Sequence, residues 1–164
     1  MLIALLSDIH DHLDNMRAAL RQLSSTDCRH MLFLGDMAQI STFRELRAVW
    51  PHELDLVAGN NDYPREDFAR CAREWSHTRY HGESAELVLD NRRIYMTHVP
   101  GYSLSHIATF GEFDAIFFGH THRAEHHFIG STLIANPGDL QGRYGRPSYA
   151  LYDTTRHTLS HVSL

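Results

Sequence analysis

Seven side chains that can bind a divalent metal share one position in this chain. Each follows closely on a short apolar run: Asp8, His10, Asp36, Asn60, His98, His120 and His122. Carboxylate oxygens, imidazole nitrogens and an amide oxygen suit manganese, iron, zinc or nickel, and no thiolate is needed. Such a centre polarises bound oxygens and acidifies water. Taken singly, the pieces carry little: Gly-Asp is commonplace and Gly-Asn is ordinarily a turn. The ordered recurrence of one event is the signal. Strand residues i and i+2 face the same way, so Asp8 with His10, and His120 with His122, could each reach one ion together. Gly35, Gly59 and Gly119 immediately precede three of the seven, where a backbone must leave a strand sharply.

The elements that must position these residues are legible from apolar patterning. Leu2–Leu6, Met31–Leu34 and Ala115–Phe118 are continuous apolar runs, as expected of strands buried on both faces, and Leu54–Ala58 reads as a further strand. Leu13, Met16, Leu20 and Leu23 recur at helical spacing. Phe43, Leu46 and Val49 indicate a second helix stopped by Pro51, and Phe68, Ala69 and Ala72 a third that begins near Pro64. After Ser76 the chain turns strand-rich: Thr78–Tyr80, Glu86–Leu89, Arg93–Thr97, Glu125–Ile129, Thr132–Ala135, Ser148–Asp153 and Thr158–Val162. Asp90-Asn91 and Gly130-Ser131 supply hairpin turns, and a helix is expected over Ser103–Phe110, capped by Ser103. The expectation is one α/β domain spanning 1–164, with two packed sheets, helices outside and the site at strand carboxyl ends.

Composition narrows the classes. The chain has 164 residues, 43% hydrophobic and 21% charged, which suits a globular domain. A net charge of −5 argues against a stable nucleic-acid complex, which needs clustered cations. Histidine is abundant, at 14 residues. Two cysteines without a CxxC pair fit a reduced, cytoplasmic setting. The apolar Met1–Leu6 stretch lacks a basic flank and a cleavage site, so it does not read as a signal peptide, and no run reaches the roughly 18 residues that span a bilayer.

On these motifs the chain resembles the calcineurin-like metallophosphoesterases, in particular the YfcE-like phosphodiesterase group. The matching pieces are Ser7-Asp8-Ile9-His10, Gly35-Asp36, Gly59-Asn60-Asn61-Asp62, Thr97-His98, Gly119-His120-Thr121-His122 and Asn136-Pro137-Gly138, with Pro147-Ser148-Tyr149-Ala150 as a closing strand. The resemblance implies a four-layer α/β/β/α sandwich of two mixed sheets and two divalent ions, manganese first among them. Asp8, His10, Asp36 and His122 would hold one ion, and Asp36, Asn60, His98 and His120 the other, with Asp36 bridging. It further implies hydrolysis of phosphate esters, diesters foremost, by a metal-bridging hydroxide, with Asp36, Asn60 and His98 as the catalytic set. Two carboxylates against two divalent ions leave about +2, so the site would attract a small or nucleotide-like phosphate ester despite the acidic chain.

The chain departs from the wider superfamily at Asn61, where histidine often stands. Asparagine hydrogen-bonds but cannot act as a general acid, so Asn61 is read as a substrate contact. Asp139 replaces the usual serine, where a carboxylate would repel substrate, hold a basic group or cap a turn. Val99-Pro100-Gly101 replaces a common Gly-His. Arg143 and Arg146 lie in a Gly-rich loop, and Arg143 is the candidate phosphate contact. His126 and His127 read as structural, and His30, His52, His77, His81, His106, His157 and His161 match no motif. The competing reading is a catalytically weak metal-binding scaffold or interaction module of the same fold. Nucleotidases and protein phosphatases rank lower, and a homo-oligomer is compatible with the chain.

Overall fold

The continuous apolar runs become central strands because both of their faces are covered. In β1 (Leu2–Leu6), Ala4 and Leu6 face one core while Ile3 and Leu5 face another. The computed structural model describes residues 1–101 and 104–164. The remaining elements are α1 (Leu13–Ser24), β2 (His30–Phe33), α2 (Ile40–Val49), β3 (Glu53–Leu56), α3 (Arg65–Ala72), β4 (Thr78–Tyr80), β5 (Ser84–Leu89), β6 (Arg92–Thr97), α4 (Leu104–Thr109), β7 (Ala115–Phe117), β8 (Ala124–Ile129), β9 (Thr132–Pro137), β10 (Ser148–Asp153) and β11 (Thr158–Ser163).

The strands form two mixed sheets. The first runs β11-β10-β1-β2-β3-β4, with β1 to β4 parallel and β10 antiparallel to both neighbours. The second runs β5-β6-β7-β9-β8, with a parallel centre of β6, β7 and β9 between antiparallel edges. Three apolar layers bind the stack. Met16, Phe33, Phe43, Leu54 and Phe68 seal α1, α2 and α3 onto the first sheet. Leu5, Leu32, Met96, Phe117 and Tyr152 fill the space between the sheets. Leu104 and Ala108 close α4 over Ile116, Phe118 and Ile134. The result is the four-layer α/β/β/α sandwich. Fully burying a Leu or Phe side chain contributes about 1.5–3 kcal/mol, so these layers are the main favourable term.

The local expectations hold with small shifts. Asp90 and Asn91 both take positive φ (50° and 62°), as a two-residue type I′ hairpin turn requires. Val49, expected on the buried face of α2, is 51% exposed, while Phe43 and Leu46 are fully buried. Ser103, the expected cap of α4, lies outside the described residues. No helix among the described residues is long and apolar enough to cross a membrane.

Three histidines without a motif find structural partners. Asp55, 1% exposed, lies 2.7 Å from His30 Nε2, 2.6 Å from His81 Nε2 and 3.0 Å from Arg79 Nε. His77 Nδ1 lies 2.9 Å from Glu53. Burial pushes the Asp55 carboxyl up, but its bonds to His30, His81 and Arg79 outweigh this and hold it well below the usual carboxylate range. A depressed carboxyl stabilises the fold above its unfolded-state pKa of about 4, and that contribution fades as pH falls below it. Asp55→Asn should therefore cost about 3 kcal/mol in urea denaturation at pH 7, because Arg79 loses a buried counter-charge and His30 and His81 a buried carboxylate partner. The gap to the wild type should narrow between about pH 4 and pH 2. Equal stability of the two proteins at pH 7 would remove Asp55 from this role.

Candidate metal centre

β1, β2 and β3 of the first sheet and β6 and β7 of the second point their carboxyl ends at one place, and all seven candidate side chains arrive there. Asp8, Asp36, His98 and His122 are buried, His10 is half-buried, and Asn60 and His120 are exposed at the rim. The pairing expected from strand alternation is not how they meet. Asp8, His10, Asp36, His120 and His122 all have positive φ, between 43° and 66°. They sit in left-handed turns beyond the strands, where Asp and His are tolerated better than most residues. His120 and His122 consequently part company. The His122 ring stacks on His10 at 5.3 Å between centroids, and the His120 ring meets His98 edge-on at 5.2 Å.

The three glycines owe their place to close packing of loop on loop. A Cβ at Gly59 would collide with Asp36, one at Gly119 with the Ser7 hydroxyl, and one at Gly35 with the Gly59 backbone. Gly35 also needs its φ of +93°.

Asp8, His98 and His122 are each anchored on one side and present the other to the centre. Asp8 Oδ2 accepts from Ser7 Oγ at 2.5 Å and from the His120 N–H at 3.1 Å, whereas Asp8 Oδ1 is buried without a hydrogen-bond partner. His98 Nδ1 lies 2.7 Å from the Leu34 carbonyl, which turns Nε2 inward. His122 Nδ1 lies 2.8 Å from Asp139 Oδ2, which turns its Nε2 to within 3.5 Å of Asp8 Oδ1. His10 Nε2, also buried and without a partner, lies 3.6 Å from Asp8 Oδ1 and 3.5 Å from Asp36 Oδ2. Asp36 Oδ2 is in turn 3.3 Å from His98 Nε2. Asn60 Oδ1 completes the outer side, 2.8 Å from His120 Nδ1 and 3.1 Å from His98 Nε2.

These spacings fit a cation. Donors about 2.1 Å from a shared ion stand roughly 3.0–3.4 Å apart. Two groups have all their donor atoms within 4.8 Å of one another: Asp8, His10 and His122, and Asp8, Asp36 and His98. Two buried polar atoms without partners, facing each other across this gap, are costly unless something fills it. The electrostatics agree. Burial pushes the Asp36 carboxyl up, but His98 and two donors from Asn61 hold it down at about 2. The neighbouring Asp8 carboxylate raises the His10 pKa, and burial of His98 is outweighed by the carboxylates around it, which raise its pKa. The cluster thus favours positive charge, which a divalent ion supplies without protons.

Three residues here were missed or left open by sequence reasoning. Asp62, 2% exposed, accepts backbone N–H groups from Asp36, Met37, Ala38 and Gly59 at 2.7–2.9 Å. It lay inside a matched motif, but nothing in its spacing marked a clamp between two loops. Asp139, 3% exposed, holds a basic group, His122, and also accepts the Arg143 N–H. The Leu34 carbonyl has no sequence signal at all. Asn61 stands against Asp36, donating its backbone N–H to Oδ1 and its amide to Oδ2, both at 2.7 Å. The Arg143 guanidinium lies over the Tyr144 ring, 5.5 Å from its centroid.

Comparison with known proteins adds an independent line. The family model of the calcineurin-like phosphoesterase superfamily domain matches residues 1–157. Phosphodiesterase MJ0936 of Methanocaldococcus jannaschii is 24% identical over 168 residues, covering 100% of this chain and 99% of that one. Among solved structures, a novel archaeal phosphodiesterase superposes with a TM-score of 0.92 at 23% identity, over all of both chains. Vps29 of Entamoeba histolytica in complex with Zn²⁺ gives 0.71 at 18%, and the phosphoesterase YfcE of E. coli 0.69 at 18%, each over 99% of both chains.

Asp139 should govern metal affinity through His122. Asp139→Ala should weaken Mn²⁺ binding in titration calorimetry by about 10- to 100-fold, with Asp139→Asn recovering part of the loss. Unchanged affinity in the alanine variant would show that His122 is oriented by other contacts.

Proposed function

The chain belongs to the calcineurin-like phosphoesterase superfamily, a family of hydrolases, and on that premise we propose that it is a phosphodiesterase working at a dinuclear metal centre. Asp8, His10, Asp36 and His122 hold one ion in this reading, and Asp36, Asn60, His98 and His120 the other. The whole chain, residues 1–164, acts as one catalytic domain. The observation that carries the reading is the inward-facing set of Asp8 Oδ1, His10 Nε2 and Asp36 Oδ2, with two of these atoms buried and without partners. The reading of Asp36 as the ligand shared by two ions is supported by its Oδ2, which lies 3.5 Å from His10 Nε2 and 3.3 Å from His98 Nε2. Manganese is the first candidate, and iron, nickel and zinc suit the same donors. Such a pair, when bound, acidifies water and polarises phosphoryl oxygens.

The residues divide the remaining work. Asp8 and Asp36 offset the charge of the ions. Asn60 and His120, at the exposed rim, face arriving substrate. Asn61 sets the orientation of Asp36 and offers no proton to a departing oxygen, since an amide is not a general acid. Leaving groups that are already good anions are therefore preferred. A small phosphate diester in a cytoplasmic setting fits an open centre of this kind.

Two measurements test this. Asp36→Asn should lower the rate on bis-p-nitrophenyl phosphate with Mn²⁺ by on the order of a thousandfold, the several kcal/mol that a shared ligand supports. Equal rates for variant and wild type would leave the metal-binding scaffold as the better reading. Aryl diesters should turn over at least about 100-fold faster than alkyl diesters, because a positioned general acid contributes about that much. Matched rates would mean that some other group protonates the alkoxide.

A further inference from the structure

Beside the proposed centre lies a second feature that the seven side chains do not use. The loop between β9 and β10 leaves the centre at Asp139 and carries Arg143, Tyr144 and Arg146 outward. The Tyr144 ring is 65% exposed yet stands perpendicular to the His122 ring, 6.1 Å between centroids. Two guanidinium groups flank it, Arg143 at 5.5 Å and Arg123 at 6.0 Å from the ring centroid. A cavity of about 280 Å³ opens here, lined by His122, Arg123, Tyr144 and Arg146 among others.

The charge of this cavity is anomalous for the chain. The protein is acidic overall, at −5. Seven of its arginines are spent in ion pairs with Asp or Glu: Arg17, Arg44, Arg65, Arg70, Arg79, Arg92 and Arg156. Among the described residues, eight arginines have no such partner, and three of these, Arg123, Arg143 and Arg146, are the ones at or beside this cavity. The one carboxylate lining the cavity, Asp139, is occupied by His122 and the Arg143 N–H. Arg123 and Arg146 thus line the opening, Arg143 stacks on the Tyr144 ring that walls it, and none of the three has an ion-pair partner among the described residues. Cation–π contact with Tyr144 offsets part of the repulsion between Arg123 and Arg143, at about 0.5–1 kcal/mol for each exposed contact. The planar fork of arginine matches a phosphate bidentately.

We infer that the cavity is an anion subsite of the same active centre, taking a second phosphate carried by the substrate next to the scissile diester. The cavity shares His122 with the centre, so a phosphate held there belongs to the moiety next to the scissile group, with the Tyr144 ring as the wall along which the connecting sugar or base lies. The preferred substrate class is then a phosphate diester bearing an additional terminal phosphate. The inference rests on the phosphodiesterase reading for what occupies the centre itself.

Two chromogenic diesters with the same p-nitrophenolate leaving group test it. One is thymidine 5′-(p-nitrophenyl phosphate), and the other is the same molecule with a phosphate on the 3′ hydroxyl. With Mn²⁺ the second should show a KM about tenfold lower, and the advantage should shrink in 0.5 M KCl. The double variant Arg123→Ala/Arg146→Ala should abolish the difference while leaving kcat on bis-p-nitrophenyl phosphate unchanged. Equal KM values in the wild type, or an advantage that survives in the double variant, overturns the subsite. Equilibrium binding of thymidine 3′,5′-bisphosphate and thymidine 5′-monophosphate, measured without turnover, separates the two levels. If no ester is hydrolysed but the bisphosphate binds about tenfold tighter and the double variant loses this, the subsite stands and the phosphodiesterase reading falls. If both nucleotides bind alike, the subsite falls whatever the activity.

Discussion

Asp62 accepts four backbone N–H groups, three from the turn after β2 and one from the turn after β3. Turns at strand ends leave donors unpaired, and a buried donor without a partner costs about 1–3 kcal/mol. One carboxylate answers four of them at once and ties Asp36 to the loop that carries Asn60. The glycine at 59 follows from the same constraint, since the two loops lie too close for any Cβ. Without this clamp, the residues between the sheets would be separate loop tips with no fixed relation.

The same region holds most of the backbone strain that bears on function. Five candidate donors have left-handed φ, at about 1 kcal/mol each. Such a sum is affordable only because the strands behind it bury continuous apolar runs on both faces. The rigid sandwich therefore does more than enclose a core: it holds Asp8 Oδ1 and His10 Nε2 in positions that local conformational preference would not select. A burial gradient completes the arrangement, from fully enclosed Asp8 and Asp36 to exposed Asn60 and His120 at the mouth. Charge is concentrated where solvent is least, and access is left where a ligand enters.

Histidine, abundant throughout, divides into three physical roles. His10, His98, His120 and His122 line the centre. His30 and His81 pair with the buried Asp55, and His77 with Glu53, on the β3–β4 side of the first sheet. His126 and His161 pack ring against ring, 5.4 Å apart, between the edges of the two sheets. What separates these roles is the partner on the second ring nitrogen. A backbone carbonyl or a carboxylate on Nδ1 leaves Nε2 of His98 and His122 free to face inward.

Much of the fold was legible because its signals are local. Buried strands read as apolar runs, α1 as a helical period, and the Asp90-Asn91 turn as a dipeptide that accepts positive φ. The seven candidate donors were legible for the same reason, each lying next to its own strand end. The grouping was not. Strand alternation would have put His120 beside His122, but both lie in left-handed turns, and their rings go to opposite sides of the centre. The contacts of Asp62 and the Leu34 carbonyl were not legible, and the choice among the readings of Asp139 stayed open, because each acts on residues distant in sequence and no spacing encodes such a contact. The sequence by itself determined which residues stand at the strand ends and how each strand packs, since neighbouring side chains and apolar periodicity carry that. Only the tertiary structure decided which donors face one another, because they come from the ends of strands in two different sheets and their meeting is set by packing between layers.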